Sequence, residues 1–310
     1  MTLINETKER LRDEIRLSAD SLLDKYPVDR YIQFLDRYPT ISKSGYHYVS
    51  PDVKTYTESI LNDSSEDILE KYHQLVLIEL ILRNKDKIVK QELPDEIKKQ
   101  YDKNFDRILN NISSKKEELG FYLYPNDKFC KDLAVCTQKM IPVGCRKLVS
   151  SPCPQRFVLK KGLGQFISGM SFVLFRLGGI RPTLYVMHTD SHDPDLMAEF
   201  NVEGWTRTLL VVAELLKQKK EVKGVFATSW FYDPNLEEVS PRLNYNRKII
   251  TDNGGKVFYI GPSEQTTKDA LTKSETRRRL YSEGKYVPTN YIIFWSRKKL
   301  LEWASKAPPK

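Results

Sequence analysis

An α/β domain with a mixed central sheet flanked by helices, behind a helical N-terminal segment, is the fold class this sequence predicts. Three patterns predict it. Residues 1–122 place apolar side chains mainly at helical spacing. From 123 to 310 short β-branched or aromatic runs alternate with amphipathic stretches. The pairs Gly178-Gly179 and Gly254-Gly255 stand where helices should stop. A length of 310 residues fits one large domain with an added segment, or two unequal domains.

In the N-terminal segment the clearest helix spans Ser65 to Arg83. Ser64 or Ser65 can cap it, acidic residues fill its first turn, and Ile68, Leu69, Tyr72, Leu75, Val76 and Leu80 recur on one face. Leu3 to Leu23 is a second amphipathic stretch, and Asp95 to Leu119, opening after Pro94, a third. Pro39 to Pro51 reads as a connector whose tyrosines and His47 cover a neighbouring core. The turn residues Gly120 to Asn126 set the expected boundary, giving regions 1–122 and 123–310.

Beyond it, 127–140 reads as a helix ended by Pro142 and Gly144. Strands are expected at 146–150, 156–160, 182–188, 223–229, 256–260 and 290–295. Helices are expected near 164–177, 204–219, 240–252, 266–283 and 297–305.

No apolar run approaches the roughly 20 residues of a membrane span. The first ten residues lack the apolar core of a signal peptide and are too acidic for a transit peptide, so a cytoplasmic location is expected. Net charge is +9 and unevenly placed: 20 Lys and Arg face 23 Asp and Glu through residue 122, and 30 face 18 afterwards. A +12 region favours an anionic partner, whether nucleic acid, an anionic lipid surface or a phosphate-bearing coenzyme A thioester; a surface that only confers solubility has the same charge.

Cys130, Cys136, Cys145 and Cys153 lie too far apart for the C-x2-C pairs of structural zinc sites, so reduced, partly buried thiols are expected and no metal. Lys160 to Gly169 resembles a dinucleotide fingerprint, but Ile167 replaces the third glycine, and a tight turn is the expected role of Gly162 and Gly164. His188-Thr-Asp-Ser-His-Asp-Pro-Asp195 follows an apolar run and offers His188 or Asp190 as a base; with His192 the same residues could instead centre a metal-dependent enzyme. Thr228-Ser-Trp-Phe-Tyr-Asp233 follows another run, so Ser229, Trp230 and Tyr232 should emerge at a sheet edge, where the aromatics could wall a pocket. Ser240-Pro241 reads as a helix start that leaves Arg242 free for an anion, and Ser274 with Arg277 or Arg278 could clamp a phosphate. No helix-turn-helix, zinc-finger or RNP pattern supports sequence-specific nucleic-acid binding.

The element order from residue 182 to 295 resembles the C-terminal half of the GNAT acyltransferase superfamily. That resemblance implies a cleft at the strand ending in His188 and Asp190, with Asn201 to Arg207 opening the helix that holds the pyrophosphate of acyl-CoA. Glu203-Gly204-Trp205 stands where the family carries Q/R-x-x-G-x-G/A, and the helix at 164–177 has no counterpart in the basic fold. It further implies an N-acyltransferase-like enzyme that uses acyl-CoA or another thioester and a small-molecule or protein acceptor. His188 or Asp190 would be the base and Tyr232 or Tyr245 the acid. Tyr185, Ser229 and Trp230 would shape the acceptor pocket. Gly204, Arg207, Arg242, Ser274 and Arg277 would hold the donor. A non-catalytic nucleic-acid- or protein-binding module is the alternative reading of the basic region.

Overall fold

The computed structural model describes residues 2–37, 49–115, 118–189 and 197–307. The chain divides into two compact units, Met1–Val143 and Gly144–Lys310, so the segment 127–142 belongs to the first. Among the described residues no helix is long and apolar enough to cross a membrane.

The first unit is helical: α1 (Thr2–Ser18), α2 (Leu22–Lys25), α3 (Val28–Asp36), α4 (Pro51–Asn62), α5 (Glu66–Lys90), α6 (Asp95–Ser114) and α7 (Asp127–Cys136), closed by strand β1 (Met140–Pro142). Helix α5 is its axis. Ser65 caps it by accepting from the Ile68 amide, Glu66 and Asp67 occupy the first turn, and Lys87 and Lys90 the last, all signs that match the helix dipole. Every residue from Leu75 to Ile81 is buried, so the helix is covered on all sides rather than along one stripe. The expected apolar set from Ile68 to Leu80 is buried as read. Most of the expected connector 39–51, with His47, lies outside the described residues.

The second unit is mixed α/β. Its strands β2 (Lys147–Pro152), β3 (Thr183–His188), β4 (Gly224–Ser229), β5 (Lys256–Gly261) and β6 (Asn290–Ser296) lie in the order β2-β3-β4-β6-β5. Pairing is antiparallel for β2 with β3, β4 with β6 and β5 with β6. Strands β3 and β4 are parallel and pair only at Tyr185↔Val225 and Val186↔Phe226. One face of the sheet packs Leu184, Phe226, Phe258, Ile292 and Phe294 against Phe157, Phe172, Val173 and Leu177. The helices are α8 (Gly162–Ser171, continued by a π-turn over Phe172–Arg176), α9 (Val202–Gln218), α10 (Leu236–Val239), α11 (Tyr245–Thr251), α12 (Glu264–Thr272), α13 (Glu275–Ser282) and α14 (Arg297–Ala304).

Three expected elements differ. The run 156–160 is a 3-10 turn over Arg156–Leu159, not a strand: Phe157 and Val158 are both buried against α8, where Gly169 leaves them room, and the turn delivers them there instead of pairing with a neighbouring strand. The helix expected over 266–283 is two, because Ser274 leaves helical geometry and its hydroxyl accepts from the Arg277 amide, starting α13. The helix expected over 240–252 begins at Tyr245, since Pro241–Leu243 forms a 3-10 turn first.

Candidate functional site

The parallel strands β3 and β4 are bridged at two residue pairs, and the C-terminal ends of both strands carry the residues of interest. Arg146 sits just before β2, whose register sets Lys147 opposite His188 at the end of β3. The Arg146 side chain is 1 % exposed. Its guanidinium carbon lies 4.8 Å from the ring of Phe200, just before α9, and 4.7 Å from that of Trp205 in the first turn of α9. One terminal nitrogen donates to the Thr189 hydroxyl, just past β3, and the other to the Asn246 side-chain oxygen on α11, at 3.3 Å. The β3 side and the β4 side therefore meet on one cation, and Phe200 joins them again through a tilted contact with Phe231 (5.3 Å) and an edge contact with Tyr245 (6.4 Å).

Arg146 makes no ion pair among the described residues. Its Nε, the indole Nε1 of Trp205 and the hydroxyl of Tyr245 are buried with no hydrogen-bond partner among the described residues. Buried donors are paired in all but a few cases, so three around one guanidinium stand out. Burial pushes the Tyr232 and Tyr245 hydroxyls up from their ordinary value, with Arg146 pulling the other way by a smaller amount. Both phenols stay protonated at neutral pH and can donate.

The start of α9 is fixed by close packing. Asn201 caps it, accepting from the Gly204 amide at 2.8 Å. A Cβ on Gly204 would collide with the Glu199 carbonyl, so glycine lets the 199–201 turn fold back on the helix. Thr208, one turn further, accepts from the Cys145 amide at 3.1 Å and touches its thiol at 3.2 Å. These contacts tie the residue before Arg146 to the helix that stacks on it.

The other expected site residues spread over several environments. His188 is half-buried at the end of β3. Asp190 and His192 lie outside the described residues. Tyr185 is buried within β3, its hydroxyl pushed up by burial to about 12. Ser229 accepts from the Phe231 amide and starts the 3-10 turn Trp230–Tyr232. Trp230 and Tyr232 are buried rather than emerging at an edge. Arg207 and Arg242 are exposed. Ser274 is the cap of α13. Arg277 is buried: it stacks at 4.7 Å on Trp230, and donates to the Ala270 carbonyl at 2.5 Å and to the Ser240 hydroxyl at 2.9 Å. Asp233 is fully buried, and desolvation raises its carboxyl above the usual range.

All four cysteines are free thiols and buried. Burial raises Cys130 to about 11 and Cys153 to about 12, which keeps them unreactive. No cluster of three or more His, Cys, Asp or Glu able to hold a metal occurs among the described residues. The glycine-rich turn opens α8 at Gly162, whose φ of +66 demands glycine.

Arg146, Phe200 and Asn246 escape motif reasoning because none belongs to a pattern. The one local signal is a pair of charges, Arg146-Lys147, at the head of an apolar run, where side chains are expected to be buried. Comparison of the chain with protein-family models, curated proteins and solved structures gives no match.

Proposed function

We propose that the second unit is a GNAT-like acyltransferase that moves an acyl group from a CoA-type or other thioester to an amine or hydroxyl. The observation that carries this reading is the parallel pair β3/β4, joined over only two residue pairs inside an otherwise antiparallel sheet, with a capped helix leading away from the end of β3. A parallel pair that parts at its C-terminal ends gives a ligand a cleft bordered by backbone groups and a helix N-terminus.

In this reading His188 takes the proton as the acceptor nitrogen or oxygen attacks the thioester carbonyl. The carbon–sulfur bond breaks, and Tyr245 or Tyr232 gives a proton to the leaving thiolate, so the products are an amide or ester and a free thiol. The unpartnered donors of Arg146, Trp205 and Tyr245 suit the carbonyl oxygen as its charge develops. Gly204 spends its amide on the Asn201 cap, so a donor phosphate would rely on the helix start before it and on Arg207, which lies exposed one turn on. Arg277, occupied by Ala270 and Ser240, braces the turn after β4 instead of contacting the donor.

The test is thiol release from acetyl-CoA and longer acyl-CoAs in the presence of a panel of amines. Release by the parent protein that falls about 100-fold or more in His188→Ala is expected. Absence of both acyl-CoA binding and thiol release overturns the reading.

A further inference from the structure

Helix α8 and its π-turn invert the usual pattern of a surface helix. The inner side is anchored: Gly169, Phe172 and Val173 are buried under the sheet, and the Gln165 amide donates to the Tyr259 carbonyl and accepts from the Tyr259 amide, each at 2.9 Å. The outer side is apolar as well. Leu163 is 73 % exposed, Ile167 60 % and Phe175 81 %, and the flanking Leu159 and Ile180 are 72 % and 58 % exposed. Of the 15 large apolar side chains exposed among the described residues, seven fall between 159 and 180, so this is one patch and not scatter.

Its charge is one-sided. No Asp or Glu occurs between Asp132 and Asp190, whereas Arg156, Lys160, Lys161, Arg176 and Arg181 ring the apolar residues. All five are exposed, and none forms an ion pair among the described residues. A Cβ placed on Gly162, Gly164, Gly178 or Gly179 meets no atom within 4 Å, so the patch is an open ridge and not a groove shaped for a protein knob.

We propose that the segment 159–181 is a membrane-surface docking ridge that lies in the headgroup region of an anionic bilayer, with its apolar side chains among the acyl chains and its cations on the lipid phosphates and carboxylates. A helix apolar outward and rimmed by Lys and Arg has the chemistry of an interfacial segment. A second copy of the chain fits worse, because a twofold contact would set five cations against five. This inference is independent of the acyl-transfer reading.

The experiment is co-sedimentation of the full chain with phosphatidylcholine vesicles, with and without about 30 % phosphatidylserine, at low and high salt. Binding to the anionic vesicles that weakens with salt is expected, with a loss of about tenfold in the double substitution Leu163→Ser/Phe175→Ser and a similar loss in Lys160→Gln/Lys161→Gln. Both apolar positions are solvent-exposed, and an unchanged circular dichroism spectrum and melting temperature show that the variants fold. No binding of the parent to either vesicle at low salt overturns the proposal. So does equal binding by the folded Leu163→Ser/Phe175→Ser variant, or a self-association abolished by that variant in a chain that ignores vesicles.

Discussion

His73 in the first unit and Arg146 in the second are both almost inaccessible to solvent, at 0 % and 1 % exposure, yet they are satisfied to different degrees. The His73 ring stacks on Phe129 at 4.9 Å. Its Nδ1 lies 2.6 Å from the Tyr122 carbonyl, which only accepts, so Nδ1 carries the proton and Nε2 faces the Tyr31 hydroxyl at 3.2 Å. Beside it the buried Glu70 accepts from the Tyr122 amide at 2.9 Å. Nothing is left for a ligand to do there. Around Arg146 three donors are left over. A buried polar group with every atom engaged fixes a fold; the donors to spare at Arg146 are the ones the proposed acyl-transfer site would use.

The contrast can be broken most directly by pH. Burial lowers His73 from its ordinary 6.5 to about 4, only partly offset by the Tyr122 carbonyl. The unfolded ring takes up a proton near 6.5 and the folded one does not, so its contribution to stability is complete above that pH and is lost as pH falls toward about 4. The loss amounts to about 3 kcal/mol. Urea unfolding of the parent at pH 7 and pH 4.5, compared with His73→Gln, measures it: the variant should show a flatter pH dependence, and an unchanged slope would mean the ring is not held neutral.

Arg146→Met sharpens the other side. Replacing the arginine with an apolar chain of similar size removes the donors to Thr189 and the buried Asn246 oxygen, so the melting temperature should fall slightly. On the proposed acyl-transfer reading, thiol release should fall about 100-fold, equivalent to about 2.7 kcal/mol of barrier. A variant that melts far earlier would make Arg146 a structural group like His73. The smallest effect separates two caps: Ser65→Ala and Asn201→Ala should each cost about 1 kcal/mol in denaturant titrations. Only Asn201→Ala should also weaken acyl-CoA binding, and equal binding by both would detach the start of α9 from the site.

Much of this fold is legible in the sequence because its signals are local. The strands expected at 182–188, 223–229 and 290–295 form to within a residue at each end, and the Ser65 cap with its acidic first turn opens the longest helix. Arg156-Phe-Val-Leu misleads because its apolar content suits a strand, whereas the burial of adjacent Phe157 and Val158 depends on α8 lying above them. Ser274 carries a cap signal, but a continuous amphipathic reading runs over it. His188 and Tyr245 are visible as chemistry at strand and helix ends. Arg146 is not, since its role comes from Phe200, Trp205 and Asn246, which lie 54, 59 and 100 residues away in the chain.

The Gln165 amide gives the sheet something a strand would otherwise supply. Strand β5 is the outermost of the order, and an outermost strand offers unpaired backbone groups to any neighbouring chain. By donating to the carbonyl and accepting from the amide of the same residue, Tyr259, the Gln165 side chain imitates one peptide unit of a missing partner. The irregularity between Tyr259 and Gly261 turns the strand away just beyond that rung. At that rung the border has no backbone group to offer a neighbouring copy.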